Sequence, residues 1–405
     1  MSPLEESQVN RERLCAEILV AGYVQSYVDF FYLTHRPDPN PGACGCPSRE
    51  SPRSSHHSSP DASVDNPDDQ EIVVSLEDME FIRGSLCRAE AARRKGDTAQ
   101  VFDAYTTLAT HFQEAKDPKT GVYFYEKCLE IARLIGDKPM EMAANRSLGL
   151  SYELLGDTDT SVGFHERHLE LAHEVADIRQ ESSAHAALVK MYRTKAAAME
   201  AGGRLEDAAD LHLQCLNAAK ECMDRTAEGD ANFAVGRTYV MLDTAERAIP
   251  YLNNYLEISK EQEGHEDRQG AAYAALAAAY QKLGDVDKAV DCLERFQRVA
   301  KDTENLQAQA EAASNLGVIH NQQHNFVQAV KQFELAYELS RSLMASGRGS
   351  RKQVDQARVN LGMARGNAKM GEYMNIITVD LSSLLQWKTS RIAFDNVLNM
   401  KVAAK

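Results

Sequence analysis

Two histidines stand three apart in "HERH", residues 165–168, near enough on one helix face to share a metal ion. His320 and His324 are four apart, and Cys44-Gly-Cys46 forms a close thiol pair. Nothing acidic or sulfur-bearing lies near His320 and His324 in sequence, and the Pro/Ser-rich surroundings of Cys44 and Cys46 lack further ligands. His165 and His168 fall on second-helix packing positions. The eight cysteines (Cys15, Cys44, Cys46, Cys87, Cys128, Cys215, Cys222 and Cys292) are scattered, without a C-x-x-C pair. No phosphate-cradling glycine loop, dinucleotide fingerprint, nucleophile elbow or H-E-x-x-H occurs. The expectation is a chain that is not an enzyme and holds no cofactor or metal, with His165 and His168 as packed side chains. Paired acids at Asp157/Asp159 and Asp285/Asp287 follow a glycine, where a carboxylate suits the start of the next helix.

The elements that would position these residues are helical. From "SLED" (75–78), a helix-starting pattern, apolar residues recur at helical spacing and alanine is abundant. A small word recurs at Leu108-Ala109, Leu148-Gly149, Leu188-Val189, Val235-Gly236, Leu276-Ala277, Leu316-Gly317 and Leu361-Gly362. The steps between them are 40, 40, 47, 41, 40 and 45 residues. Three places after the small residue comes an aromatic: Phe112, Tyr152, Tyr192, Tyr239 and Tyr280, with His320 and Arg365 departing. A second small position follows at Gly121, Ser161, Ala208, Ala248, Ala289 and Ala329, and a bulky apolar one four later at Tyr125, Leu252, Leu293 and Phe333. Small residues let paired helices approach, the aromatic fills the space beside them, and glycines such as Gly156 and Gly284 reverse the chain.

That pattern resembles the tetratricopeptide repeat, in which each unit is an antiparallel helix pair. The resemblance implies an all-α tetratricopeptide repeat solenoid, a right-handed superhelix of stacked pairs. The 47-residue step predicts a first helix extended by seven residues ("RTKAAAMEAGG"), and the 45-residue step a basic loop at 342–353.

The chain divides into an N-terminal amphipathic helix (1–35), a Pro/Ser-rich linker (36–71) expected to be disordered, capping helices (72–101), about seven repeats (102–375), and a C-terminal capping helix and tail (376–405). Glu17 and Asp29 interrupt the most apolar stretch, 14–33, which therefore predicts an amphipathic helix and no membrane contact. With 43% hydrophobic residues and a net charge of −15, the chain can bury a core and is not expected to bind nucleic acid.

The inner groove of such a solenoid is lined by first helices. Counting from the small residue, Arg146, Lys190, Arg193, Arg237 and Asn321 should face it. Four cations there could receive acidic side chains or a peptide carboxylate of a protein partner.

The order of peculiarities is similar to a ciliary and flagellar branch of the same superfamily. It is carried by "EILVAGYVQSYVDFF" (17–31), "ALVKMYRTKAAAMEAGGRLEDAADL" (187–211) and "LLQWKTSR" (384–391). The last lies outside the repeat, so shared repeat grammar does not account for it. This resemblance implies a cilium or flagellum axoneme component of the cytoskeleton, with dynein-arm-associated protein partners and no small-molecule substrate. The alternative is a cytoplasmic assembly or intraflagellar-transport factor that binds axonemal cargo transiently.

Overall fold

A computed structural model describes residues 3–35, 74–261, 264, 266–379 and 381–390. Most of the expected linker, Cys44 and Cys46, and residues 391–405 of the expected tail lie outside the described residues. Among the described residues there are seventeen helices and no strand. They are α1 (Pro3–Val20), α2 (Val24–Thr34), α3 (Leu76–Lys95), α4 (Thr98–Glu114), α5 (Pro118–Ile135), α6 (Lys138–Leu155), α7 (Thr158–Val175) and α8 (Ile178–Ala201). There follow α9 (Leu205–Glu221), α10 (Arg225–Met241), α11 (Ala245–Glu261), α12 (Glu266–Leu283), α13 (Val286–Asp302) and α14 (Leu306–Gln322). The last three are α15 (Phe326–Ala345), α16 (Arg351–Val379) and α17 (Leu381–Ser390). None is long and apolar enough to cross a membrane.

Many of these helices start at a side-chain cap that follows a left-handed turn. Asp97, Asp117, Asp137, Asp157 and Asp177 fall every twenty residues, and each accepts a hydrogen bond from a backbone N–H at the start of the next helix. Asp224, Asp285 and Asn305 continue the series. Such caps satisfy donors that the first turn leaves open, worth about 1 kcal/mol each. Just before each cap the chain passes through left-handed backbone, as at Gly156 (φ 78°), which turns it back on itself.

The chain forms two compact units, Met1–Met191 and Tyr192–Lys405. In the first unit, α1 and α2 are two helices where one was expected. They break at Ala21–Tyr23, with Gly22 at φ 84°. They pack on α3 by burying Leu14, Ile18 and Phe30 among Met79, Ile82 and Leu86, and so belong to the repeat core. Glu90 of α3 reaches across to the buried Ser26, accepting from its N–H at 2.8 Å and its hydroxyl at 2.7 Å. The same core runs on through Leu108, Phe124, Cys128 and Leu148.

The second unit has its largest core between α9 and α14, built on Val235, Leu252, Leu276, Leu293 and Leu316. Fully burying one such side chain contributes on the order of 2–3 kcal/mol. The extended first helix is present, since α8 runs 24 residues against 17 or 18 for its counterparts α6 and α10. The expected loop at 342–353 is shorter: α15 continues to Ala345 and α16 begins at Arg351, because nothing in 342–345 breaks a helix.

Candidate functional site

The repeat word acquires a geometry. In α6, Gly149 faces His165 of α7, and a Cβ added at Gly149 would stand 2.6 Å from His165 Cε1. Gly236 faces Leu252 in the same way at 2.6 Å, and Gly317 faces Phe333 at 2.7 Å. The small residue is therefore a notch, and a side chain sixteen residues on is the knob that fills it. Aromatics flank the joint: Tyr152 stacks on Phe164 at 5.4 Å and Phe112 on Phe124 at 5.9 Å between ring centroids. Ser161 closes the pair by donating to the Gly149 carbonyl at 2.8 Å.

His165 and His168 are both buried, at 0% and 1% exposure, so "HERH" is part of the helix joint. His168 Nε2 meets Gln180 Oε1 at 3.1 Å, while neither ring nitrogen of His165 has a hydrogen-bond partner among the described residues. Burial, helped by the adjacent His168, pushes His165 down to about 4. His212, another knob, is treated differently. Its Nε2 lies 3.1 Å from Glu200 Oε1, and the same carboxylate accepts from Thr238 at 3.0 Å and Arg237 at 2.7 Å. Burial opposes the charge on Glu200, but these donors hold its carboxyl below the usual range.

The five residues expected in the groove lie on first helices, in two sets. In the first unit, Arg146 is exposed on α6, and Lys190 of α8 is ion-paired with Glu153. In the second unit, Arg193 is exposed, Arg237 is held by Glu200, and Asn321 accepts from Asn367 at 3.0 Å. Lys190 and Arg237 each pair with a carboxylate 37 residues earlier, on the preceding first helix or its extension. Repeats are thus laced together by cations that sequence counting assigned to partners.

A different surface opens beside Arg237. A recess of about 440 Å³ is floored by Phe233, Ala271, Ala274 and Val299, with Glu266 and Glu311 among its lining. Neither acid has an ion-pair partner among the described residues. Phe233 and Ala274 occupy the same repeat position as Arg146, so the signal was present; selecting cations alone passed over it.

Residues 100–174 and 268–342 match the tetratricopeptide repeat family. Those two segments carry tetratricopeptide repeats. The chain is similar over 392 residues to tetratricopeptide repeat protein 29 of Macaca fascicularis, 26% identical, covering 94% of this chain and 78% of the relative. The Trypanosoma brucei brucei protein of the same name is 22% identical over 388 residues, covering 94% and 74%. Among solved structures, BtubC (BKLC) from P. vanneervenii aligns with a TM-score of 0.34 and 19% identity, covering 56% of this chain and 92% of that one.

Proposed function

We propose that the chain is a non-catalytic scaffold of the ciliary or flagellar axoneme, binding dynein-arm-associated or doublet proteins and required for beating. One observation carries the reading. Similarity to tetratricopeptide repeat protein 29 spans 94% of the chain, well beyond the residues that match the repeat family. The "LLQWKTSR" motif, outside the repeats, supports the same branch.

The partner surfaces in this reading are the inner faces of first helices. Arg146 in the first unit and Arg193 in the second are exposed cations suited to acidic side chains. Lys190, Arg237 and Asn321 join them by exchanging their internal partners. A net charge of −15 opposes direct contact with acidic tubulin tails, which favours other axonemal proteins as the partners.

Detergent-extracted flagella test this reading. The chain should stay with the axoneme, and its deletion should stop beating. Release by detergent, with beating still lost, would favour the second reading of a transient assembly or transport factor. A motile deletion strain would end both. Arg146→Glu and Arg193→Glu should each reduce axonemal retention without altering the helical circular dichroism.

A further inference from the structure

The recess beside Arg237 lies where the repeat turns small. In α12, Gly270 and Ala274 hold the positions that carry Met142 and Arg146 on α6, with Ala271 and Ala275 next to them. These four fall on one face of the helix. They leave a hollow of about 440 Å³ among α10, α12, α13 and α14. Its floor is braced from behind. A Cβ at Gly270 would stand 3.1 Å from the Phe296 ring, and Phe233 leans on Tyr255 with 4.8 Å between ring centroids. Val299 and Ala308 complete the apolar wall.

Three carboxylates line the same hollow: Glu266 and Asp267 at the start of α12, and Glu311 on α14. All three are exposed, and none is ion-paired among the described residues. Asp267 accepts a 3.4 Å hydrogen bond from the neutral side chain of Asn305. The neighbouring cations are engaged elsewhere, Arg237 on Glu200 at 2.7 Å and Arg268 on Asp230 at 3.2 Å. Whether or not Arg237 exchanges that partner, its single charge leaves the described lining acidic on balance.

Solvated acids alone mark nothing on a chain of net charge −15. Here they stand at the mouth of an apolar hollow, at a volume typical of sites that receive a ligand group. Few side chains match both halves. An aliphatic residue would fill the depth and leave the acids to water. Arginine lays its methylene stem along apolar surface while its head stays at the polar edge. The planar guanidinium stacks on an aromatic face, here Phe233, and forks two N–H groups toward one carboxylate.

We infer that this recess seats an arginine side chain of a partner protein, its guanidinium against Phe233 and hydrogen-bonded to Glu266 or Glu311. The inference deepens the scaffold reading and rests on it for the occupant being a protein. It assigns to the second unit a partner chemistry opposite to that of the inner-face cations. A second copy of the chain is disfavoured, because two bodies of net charge −15 repel.

The test pans a display library of random short peptides against the purified full chain, at low salt so that exposed acids are not screened. Enriched peptides should share an arginine beside apolar residues. In fluorescence anisotropy with the strongest of them, exchanging that arginine for citrulline, its neutral isostere, should weaken binding at least about tenfold. Glu266→Gln with Glu311→Gln in the protein should weaken it as much, and so should Ala274→Leu, which fills the hollow. Both acids are exposed and unpaired, so their variant folds, which circular dichroism checks. Glu338→Gln removes an exposed acid of α15 outside the lining and should leave binding unchanged.

No enrichment of arginine, or binding indifferent to citrulline or to the paired glutamines, would overturn the inference. An equal loss with Glu338→Gln would do so too, by showing a response to net charge alone. Arginine amide binding as tightly as the peptide would assign the recess to a small cation instead. Binding that appears only after removal of residues 391–405, which include Arg391, would assign it to the chain itself. A wild-type dimer in sedimentation that the paired glutamines dissociate would assign it to a second copy. Each of these three results rejects the partner arginine. A chain that stays with the axoneme but shows no arginine preference would sink this inference alone. Arginine binding alongside a motile deletion strain would sink the scaffold reading alone.

Discussion

Gly317 and Gly362 hold the same place in successive repeats, yet one lies under the ring of Phe333 and the other, among the described residues, under nothing within 4 Å. The sequence around them is nearly the same word, Asn-Leu-Gly-Val against Asn-Leu-Gly-Met. What differs is downstream: a left-handed turn at His324 before α15 in one, uninterrupted helix in the other. A notch is therefore defined by its glycine but completed only where the chain can turn. The first unit adds a third case, since His165 closes Gly149 with a titratable ring. An apolar knob, a polar knob and no knob allow the joint to be tested by its filling.

The largest effect should come from the polar knob. In the folded chain His165 titrates at about 4, against an ordinary 6.5. Its folded value is the lower one, so an unfolded chain binds the extra proton first. Stability from this residue is whole above pH 6.5 and is lost as pH falls toward 4. The loss approaches about 3 kcal/mol, discounted for solvent relaxation around the ring. His168 titrates in the same sense, lowered by burial, and Arg146 disfavours a second positive charge on either ring. His165→Leu borrows the knob that already fits Gly236. It should flatten the pH dependence of urea unfolding across this window relative to wild type, with other titrating groups common to both. An equal slope in the variant would mean that His165 charges freely while the joint stays shut.

Next in size is the contrast between a closed and an open notch. Gly317→Ala would press a methyl group to within 2.7 Å of the Phe333 ring, and displacing that ring should cost about 2 kcal/mol. Gly362→Ala places the same methyl in open space within a helix, where alanine gains about 0.5–1 kcal/mol over glycine. Opposite signs at equivalent positions are the expected result. Because repeats can open separately, amide exchange over α14–α15 and over α16 is the appropriate measurement. A shared sign would show that α16 carries a covering helix after all.

Much of this joint was legible in the sequence. The phased words located the first helices, the small residues at Ser161 and Ala289 located the second, and the extra length of α8 followed from its longer step. His165 and His168 were recognisable as packing residues because they fall in the second helix's buried positions. What stayed hidden depended on pairing across space. Lys190 and Arg237 looked free because their carboxylates, Glu153 and Glu200, stand 37 residues away. The break at Gly22 turned one amphipathic pattern into a hairpin, and its burial against α3 depends on residues fifty or more positions later.

The smallest effect concerns the turns that complete the notches. Gly156, between the Gly149 notch and its knob, takes left-handed backbone at no steric cost, whereas Met223 adopts φ 55° with a Cβ in place. The Met223 side chain is 89% exposed, so it packs on little, and its N–H already bonds the Lys220 carbonyl at 3.1 Å. Met223→Gly relieves the strained backbone and also loosens the unfolded chain. The two effects partly cancel, leaving a gain of about 0.5–1 kcal/mol. Amide protection in α9 and α10 should rise by the corresponding factor, while Gly156→Ala should lower that of α6 and α7. If Met223→Gly changes nothing, the turn before α10 already relaxes by other means. Backbone handedness would then matter less to closing a joint than the Asp caps that follow such turns, Asp224 here and Asp157 there.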